Sequence, residues 1–150
     1  MQRNNPLKSA GGSMRLPQSI ADGYTRIIPS DRLRAKSLTK AATQALYSAQ
    51  KLAIETETLK TILRELYEAL RQYCEAIGYI QGYKFTSHEV ISIFLEEVLK
   101  EQKLATRFDR YRKLRNGINY YGDDISEVTI REALKDIPEM IKQLEKYYPR

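Results

Sequence analysis

Apolar residues recur at three- and four-residue spacing through most of this chain, and this period limits the possible folds more than any other feature. Such spacing keeps side chains on one face of an α-helix, whereas a half-buried strand alternates every second residue. No run alternates for long enough to predict a strand. Four stripes occur, over residues 33–53, 59–77, 90–99 and 130–148. The pattern predicts an all-α protein folded as an antiparallel up-and-down four-helix bundle.

Residues that favour helix ends lie beside the first two stripes. Ser30 and Asp31 are good N-cap residues for the first helix, whose many alanines predict the close approach of a neighbouring helix. Gly78 and Gly82 follow the second stripe, and we expect them to break the helical pattern there.

The third helix has the clearest start signal in the sequence. Thr86 and Glu89 have the spacing of a capping box, in which each side chain bonds to the other's backbone amide. Phe85 and Val90 have the spacing of a hydrophobic staple, which fixes the direction in which the chain enters the helix. These signals predict a regular helix that begins at Thr86.

An extra short helix is expected before Arg115, from apolar residues at positions 104, 108 and 111. Gly117 and Gly122 are expected to terminate it. Pro138 interrupts the last stripe and lacks an amide donor, so it is expected to kink the last helix or to restart it after Asp136.

At 150 residues the chain has the size of one domain with one hydrophobic core. Residues 1–29 have few apolar side chains and are predicted to form a disordered or irregular lead, because they cannot bury enough surface to offset the entropy of ordering. Residues 30–150 are predicted to form the helical bundle domain.

Composition excludes several classes of protein. The chain has one cysteine, Cys74, and one histidine, His88, so we predict no internal disulfide and no metal site. Neither a run of about 20 apolar residues nor a secretory signal is present, and a cytoplasmic protein without membrane contact is expected. The net charge of +6 favours a polyanionic partner such as RNA.

The segment from Lys100 to Arg115 is the most basic part of the second half of the chain. It contains seven basic residues against two acidic ones, Glu101 and Asp109. Four polar or aromatic residues follow at once: Asn116, Asn119, Tyr120 and Tyr121. Guanidinium groups can bind phosphates while aromatic rings stack on bases, so this mixture predicts a nucleic-acid or nucleotide site near a glycine-marked turn.

The segments RYRKLRNGINYYG, at 110–122, and GYKFTSHEVISIFL, at 82–95, resemble sequences of the HEPN superfamily, and specifically its archaeal branch. The resemblance implies a four-helix bundle. It also implies kinship with metal-independent ribonucleases that act as homodimers, in which an Arg–polar motif followed after four to six residues by His faces itself across the two-fold axis. No cofactor is implied.

The motif is only half matched. Arg115 and Asn116 correspond to the family's arginine and polar residue, but Tyr120, with four residues between it and Arg115, stands where the histidine is expected. Cleavage of RNA without a metal needs a base for the 2′-hydroxyl, and a tyrosine with a pKa of about 10 is a poor base at neutral pH. Arg115 could still stabilise phosphorane charge.

Each candidate residue also has a simpler structural role. Arg112 and Arg115 lie three apart and could share a phosphate, or they could pair with acidic neighbours such as Asp109 or Asp123. Asn116 and Asn119 could contact a ligand, although turn formation and helix capping is the interpretation we favour.

Tyr120 and Tyr121 are most simply one ring in the core and one at the surface or at a dimer seam. His88 is interpreted as an exposed or cap-supporting residue. The alternative is that it packs near Arg115, of its own or a second subunit, and replaces the missing histidine. Cys74 is predicted to be a buried core residue.

The resulting hypothesis is a HEPN-like homodimer that binds RNA or a nucleotide without catalysis. The predicted binding residues are Arg112, Arg115, Asn116, Asn119, Tyr120 and Tyr121. One alternative is a metal-independent endoribonuclease whose catalytic candidates are Arg115, Tyr120 and His88. Another is an interaction partner of a minimal nucleotidyltransferase, as in a toxin–antitoxin pair.

Overall fold

Helices make up most of the chain, which confirms the all-α class. The structure is a computed structural model, and it describes residues 8–9 and 12–149. Within them the helices are α1 (Leu16–Ala21), α2 (Arg32–Lys51), α3 (Leu59–Gln81), α4 (Ile91–Ile93), α5 (Gln102–Tyr121) and α6 (Glu127–Leu144). Short strands are β1 (Lys8–Ser9), β2 (Gly12–Ser13), β3 (Thr25–Ile27) and β4 (Tyr83–Phe85). No helix of the described residues is long and apolar enough to cross a membrane.

Helix α3 lies at the centre of the fold, where it packs against α2, α5 and α6. Contact with three helices buries side chains around most of its circumference, including Ile62, Leu63, Leu66 and Tyr67. Cys74 is also fully buried there, as predicted. A helix with so wide an apolar surface is stable only when neighbours cover it on several sides.

Helix α2 begins as predicted, because the Asp31 carboxylate accepts a hydrogen bond from the backbone N–H of Arg34. Its buried face consists mainly of alanines and packs on α3. Leu33, which the stripe assigned to the core, is 82% exposed. It lies on the side of α2 opposite the alanines, so the prediction for this residue was wrong.

Two glycines lie inside helices that they were expected to end. Helix α3 continues through Gly78 and ends at Gly82, whose φ of 89° favours glycine. At Gly78 a Cβ would lie 2.7 Å from the ring of Phe85, so glycine provides space for packing. Helix α5 likewise continues through Gly117 and ends at Gly122, with φ 65°. Most of the basic segment and the Arg115 motif therefore lie in one helix of 20 residues, and not in a short helix followed by a turn.

The predicted third helix is replaced by an irregular segment. The N-cap is Ser87, whose hydroxyl accepts from the N–H of Glu89, while Thr86 instead donates to the carbonyl of Gly23. The prediction of a capping box was therefore wrong. Phe85 and Val90, the two residues of the predicted hydrophobic staple, are both buried. A 3-10 turn at His88–Val90 leads into α4 and then into a π-helical turn at Phe94–Val98.

Part of the predicted irregular lead has regular structure. Helix α1 and strand β3 lie within it, and β3 pairs antiparallel with β4, so the absence of strands was a wrong prediction. The side chains of Ser19 and Thr25 are buried and hydrogen-bonded to each other. Residues 1–7 and 10–11, where the lead was predicted to be disordered, lie outside the described residues.

Helix α6 continues through Pro138 without restarting after Asp136. It packs on α3, and its polar side chains bond to α5. The hydroxyl of Tyr111, a fully buried residue of α5, donates to Asp136 at 2.7 Å. This bond anchors the middle of α5 and so fixes the helix that carries Arg115.

Candidate functional site

An open cleft of about 340 Å³ lies between α5 and the 3-10 turn that precedes α4. The α5 residues that line it are spaced three, four and eight positions from the first, so they share one face of the helix. The 3-10 turn forms the opposite wall. The lining residues are Ser87, His88, Glu89, Arg112, Arg115, Asn116 and Tyr120.

Arg115 is the cation of this cleft that has no carboxylate partner among the described residues. Its guanidinium lies 5.6 Å from the ring centre of Tyr67 and 6.0 Å from that of Tyr120. Its Nη1 also donates to the Asn116 side-chain oxygen at 3.4 Å. Aromatic faces attract a cation but leave its charge uncompensated, so Arg115 remains able to bind an anion.

Arg112, in contrast, is only 5% exposed and is held by acidic side chains. Its Nε donates to Asp109 at 3.1 Å, and its Nη1 lies 3.7 Å from a carboxylate oxygen of Glu89. The pairing with Asp109 considered from the sequence is therefore present. Arg112 ties the 3-10 turn to α5 and shapes the cleft wall.

His88 lines the same cleft as Arg115. This placement agrees with the alternative interpretation, in which His88 packs near Arg115, and not with the favoured one. Its ring is half-buried, and its Nδ1 lies 3.2 Å from the hydroxyl of Tyr67. Burial, together with the positive charges of Arg71 and Arg115, lowers the pKa of His88 to about 4. The imidazole is therefore neutral at pH 7, with one protonated nitrogen.

Tyr67 decides which nitrogen of His88 carries that proton. The Tyr67 side chain is 1% exposed, and burial raises the pKa of its hydroxyl well above the ordinary range. A buried hydroxyl must donate to an acceptor, and His88 Nδ1 is its hydrogen-bond partner among the described residues. With the Tyr67 hydroxyl as donor, Nδ1 accepts and Nε2 carries the proton.

The remaining predicted site residues divide between the cleft and its surroundings. Asn116 lines the cleft, but the Asn119 oxygen accepts from Arg64 Nε at 2.7 Å outside it. Both asparagines lie inside α5, so the favoured turn-forming role was wrong. Tyr120 is 70% exposed at the cleft and Tyr121 is 42% exposed, so neither ring is in the core as predicted for one of them.

Sequence reasoning missed two residues that shape this site. Tyr67 lies on α3, 21 residues before His88, and no local pattern joins the two positions. Glu89 was assigned to the capping box, whereas its carboxylate pairs with Arg112. Only the packing of α3 and α5 around the 3-10 turn brings these groups together.

The chemistry available in the cleft follows from these side chains. A guanidinium, an Nε2–H and an amide can donate to the oxygens of one phosphate, while Tyr120 offers an exposed face for a base. Among the described residues no group of three or more His, Cys, Asp or Glu side chains could hold a metal ion. No family model, curated protein or solved structure matches this chain.

Proposed function

We propose that this protein is a HEPN-like homodimer that binds a phosphate group of RNA or of a nucleotide in the cleft at Arg115, without cleaving it. The proposal includes the up-and-down four-helix arrangement of α2, α3, α5 and α6. Contacts between neighbouring helices support antiparallel packing: Arg34 lies over Tyr79, Arg64 bonds to Asn119, and Arg110 bonds to Glu132.

The observation that carries the proposal is the unpaired guanidinium of Arg115 at the wall of an open cleft, beside the exposed ring of Tyr120. An arginine in such a place donates in a fork that matches phosphate oxygens. The adjacent Asn116 amide and the Nε2–H of His88 add donors without adding charge.

The same geometry favours binding over cleavage. Attack by a 2′-hydroxyl needs a base that accepts its proton. With Tyr67 as the donor, His88 Nδ1 is occupied and Nε2 carries the proton, so neither ring nitrogen is free to accept. His88 therefore acts as a hydrogen-bond donor in this cleft.

Binding of a labelled single-stranded oligoribonucleotide to the wild type, Arg115→Ala and Arg131→Ala tests the proposal. Arg131→Ala is the control, because it removes one positive charge, as Arg115→Ala does. Arg131 pairs with Glu127 on the exposed side of α6. A charged hydrogen bond contributes about 1.5–3 kcal/mol, so Arg115→Ala should weaken binding about 10- to 100-fold. Equal affinities of the two variants would contradict the proposal.

A metal-independent endoribonuclease is the second candidate, because His88 and Arg115 share one cleft. On this reading bound RNA displaces Tyr67 from His88 and frees a proton acceptor. Incubation of RNA with the protein in excess chelator tests it. Cleavage by the wild type that disappears in both His88→Ala and Arg115→Ala would support catalysis. RNA that stays intact with the wild type would rule out the ribonuclease and leave the binding proposal.

A further inference from the structure

A second strongly basic helix, α2, lies far along the chain from the Arg115 segment. Helix α2 contains Arg32, Arg34, Lys36, Lys40 and Lys51 and has no aspartate or glutamate. The whole chain has a net charge of +6. One helix thus carries five positive charges, with no acidic side chain of its own to balance them.

Four of these cations lie on one face of the helix. At about 100° of rotation per residue, Arg32, Lys36, Lys40 and Lys51 fall within an arc of about 100°. All four are exposed, and the arc lies opposite the buried alanines that contact α3. We call these four residues and Tyr47, which lies in the same arc, the α2 cationic face. It is about 29 Å long, since a helix rises by about 1.5 Å per residue.

None of the cations of this face forms an ion pair with a carboxylate among the described residues. Lys51 lies 5.0 Å from the ring centre of Tyr47, which is itself 61% exposed. On α5, in contrast, Arg107 pairs with Asp136 and Arg110 with Glu132. These two arginines of the basic segment are therefore neutralised by carboxylates, whereas the α2 cationic face keeps its charge unpaired.

The short sheet beside the start of α2 is also basic. Arg26 of β3 and Lys84 of β4 are directly opposite each other in the ladder, and both are exposed. Like charges opposite each other destabilise a strand pair. The sheet adjoins α2, because the backbone N–H of Asp31 donates to the carbonyl of Tyr79 and that of Ile28 donates to Gly82.

We propose that the α2 cationic face binds the backbone of a single-stranded polynucleotide, with a base stacked on Tyr47. A row of cations that tracks the phosphates beside an exposed aromatic ring is the usual form of such a surface. An anionic membrane fits less well, because a helix at a lipid surface inserts an apolar face and that of α2 is buried against α3. The inference does not depend on the Arg115 cleft, whose lining residues are all different.

Binding of a labelled oligouridylate at several salt concentrations tests this surface. The test variant combines Arg32→Gln, Lys36→Gln and Lys40→Gln. Its matched control combines Arg131→Gln, Lys135→Gln and Lys142→Gln on α6, all exposed and with the same change of net charge. Each phosphate contact to a single strand contributes about 0.7 to the slope of log affinity against log salt. The slope should therefore flatten by about 2 in the α2 variant and change little in the control.

Two further variants separate the possible outcomes. Tyr47→Ala should weaken binding about fivefold or more through lost stacking, whereas Tyr47→Phe should bind like the wild type. When Arg115→Ala is also present, the α2 substitutions should still flatten the salt slope. This result would distinguish the α2 cationic face from the cleft. An unchanged slope in the α2 variant, or equal loss in the α6 control, would overturn the inference. The inference would also be overturned if the α2 variant lost binding to phosphatidylserine vesicles but still bound oligouridylate like the wild type.

Discussion

Acidification from pH 7 to pH 5 should destabilise the fold through His88. The folded environment lowers the pKa of His88 from 6.5 to about 4, so the unfolded chain takes up a proton in this range while the folded chain does not. Stability therefore rises with pH from about 4 to about 6.5 and is constant for this group above that range. The direction follows because acid protonates the exposed imidazole of the unfolded chain and so stabilises that state, while the buried imidazole of the folded chain stays neutral.

The magnitude follows from these two pKa values and the surroundings of the ring. The full shift would lower the free energy of unfolding by about 2 kcal/mol between pH 7 and pH 5. Arg71, Arg115 and Arg112 act with burial to favour the neutral ring, and Glu68 opposes them. Because the ring also borders an open cleft, solvent screening reduces the expected loss to about 1 kcal/mol.

Urea unfolding of the wild type and of His88→Gln at both pH values measures this loss. The difference between the two proteins removes the contribution of carboxylates that titrate in the same range. The wild type should lose about 1 kcal/mol more than the variant, and an NMR titration of this single histidine should have a midpoint near 4. A midpoint at 6.5 or above, or an equal loss in both proteins, would refute the reasoning.

Three other substitutions test the packing and hydrogen bonds around this site. Tyr67→Phe should change His88 from one tautomer to a mixture, which ¹⁵N NMR of the ring detects, and an unchanged spectrum would mean that Tyr67 does not set the tautomer. Gly78→Ala should lower stability by about 1–3 kcal/mol in denaturant unfolding, because the new Cβ would overlap the ring of Phe85, and neutral behaviour would contradict that contact. Tyr111→Phe should cost about 1–2 kcal/mol by removing the bond to its carboxylate partner on α6, whereas equal stability would show that the bond contributes nothing.

Local patterns were sufficient for the helices whose signals are local. The spacing of apolar residues predicted α2, α3 and α6, because each packs apolar side chains against neighbouring helices. Asp31 was recognised as an N-cap because its carboxylate bonds to an amide only three residues away. These features depend on backbone geometry that is the same in any fold.

Positions whose role depends on a distant contact were the ones that the sequence could not decide. Glycine ends a helix at Gly82, where φ is positive, yet at Gly78 it admits the ring of Phe85. The sequence gives the same residue in both places. For the same reason Thr86 resembled a cap but bonds to the carbonyl of Gly23, 63 residues away.

The sequence by itself determined the helical class and the residue types of the site. These include the single histidine of the chain and an arginine motif that lacks the expected histidine. The tertiary structure decided that His88 meets Arg115 in one cleft, because α5 packs beside the 3-10 turn. It also decided which positive charges remain unpaired. Arg107 and Arg110 of α5 pair with carboxylates of α6, whereas the cations of the α2 cationic face are exposed on a helix whose other side is buried. Charge is fixed by residue type, but ion pairing depends on which helices are neighbours.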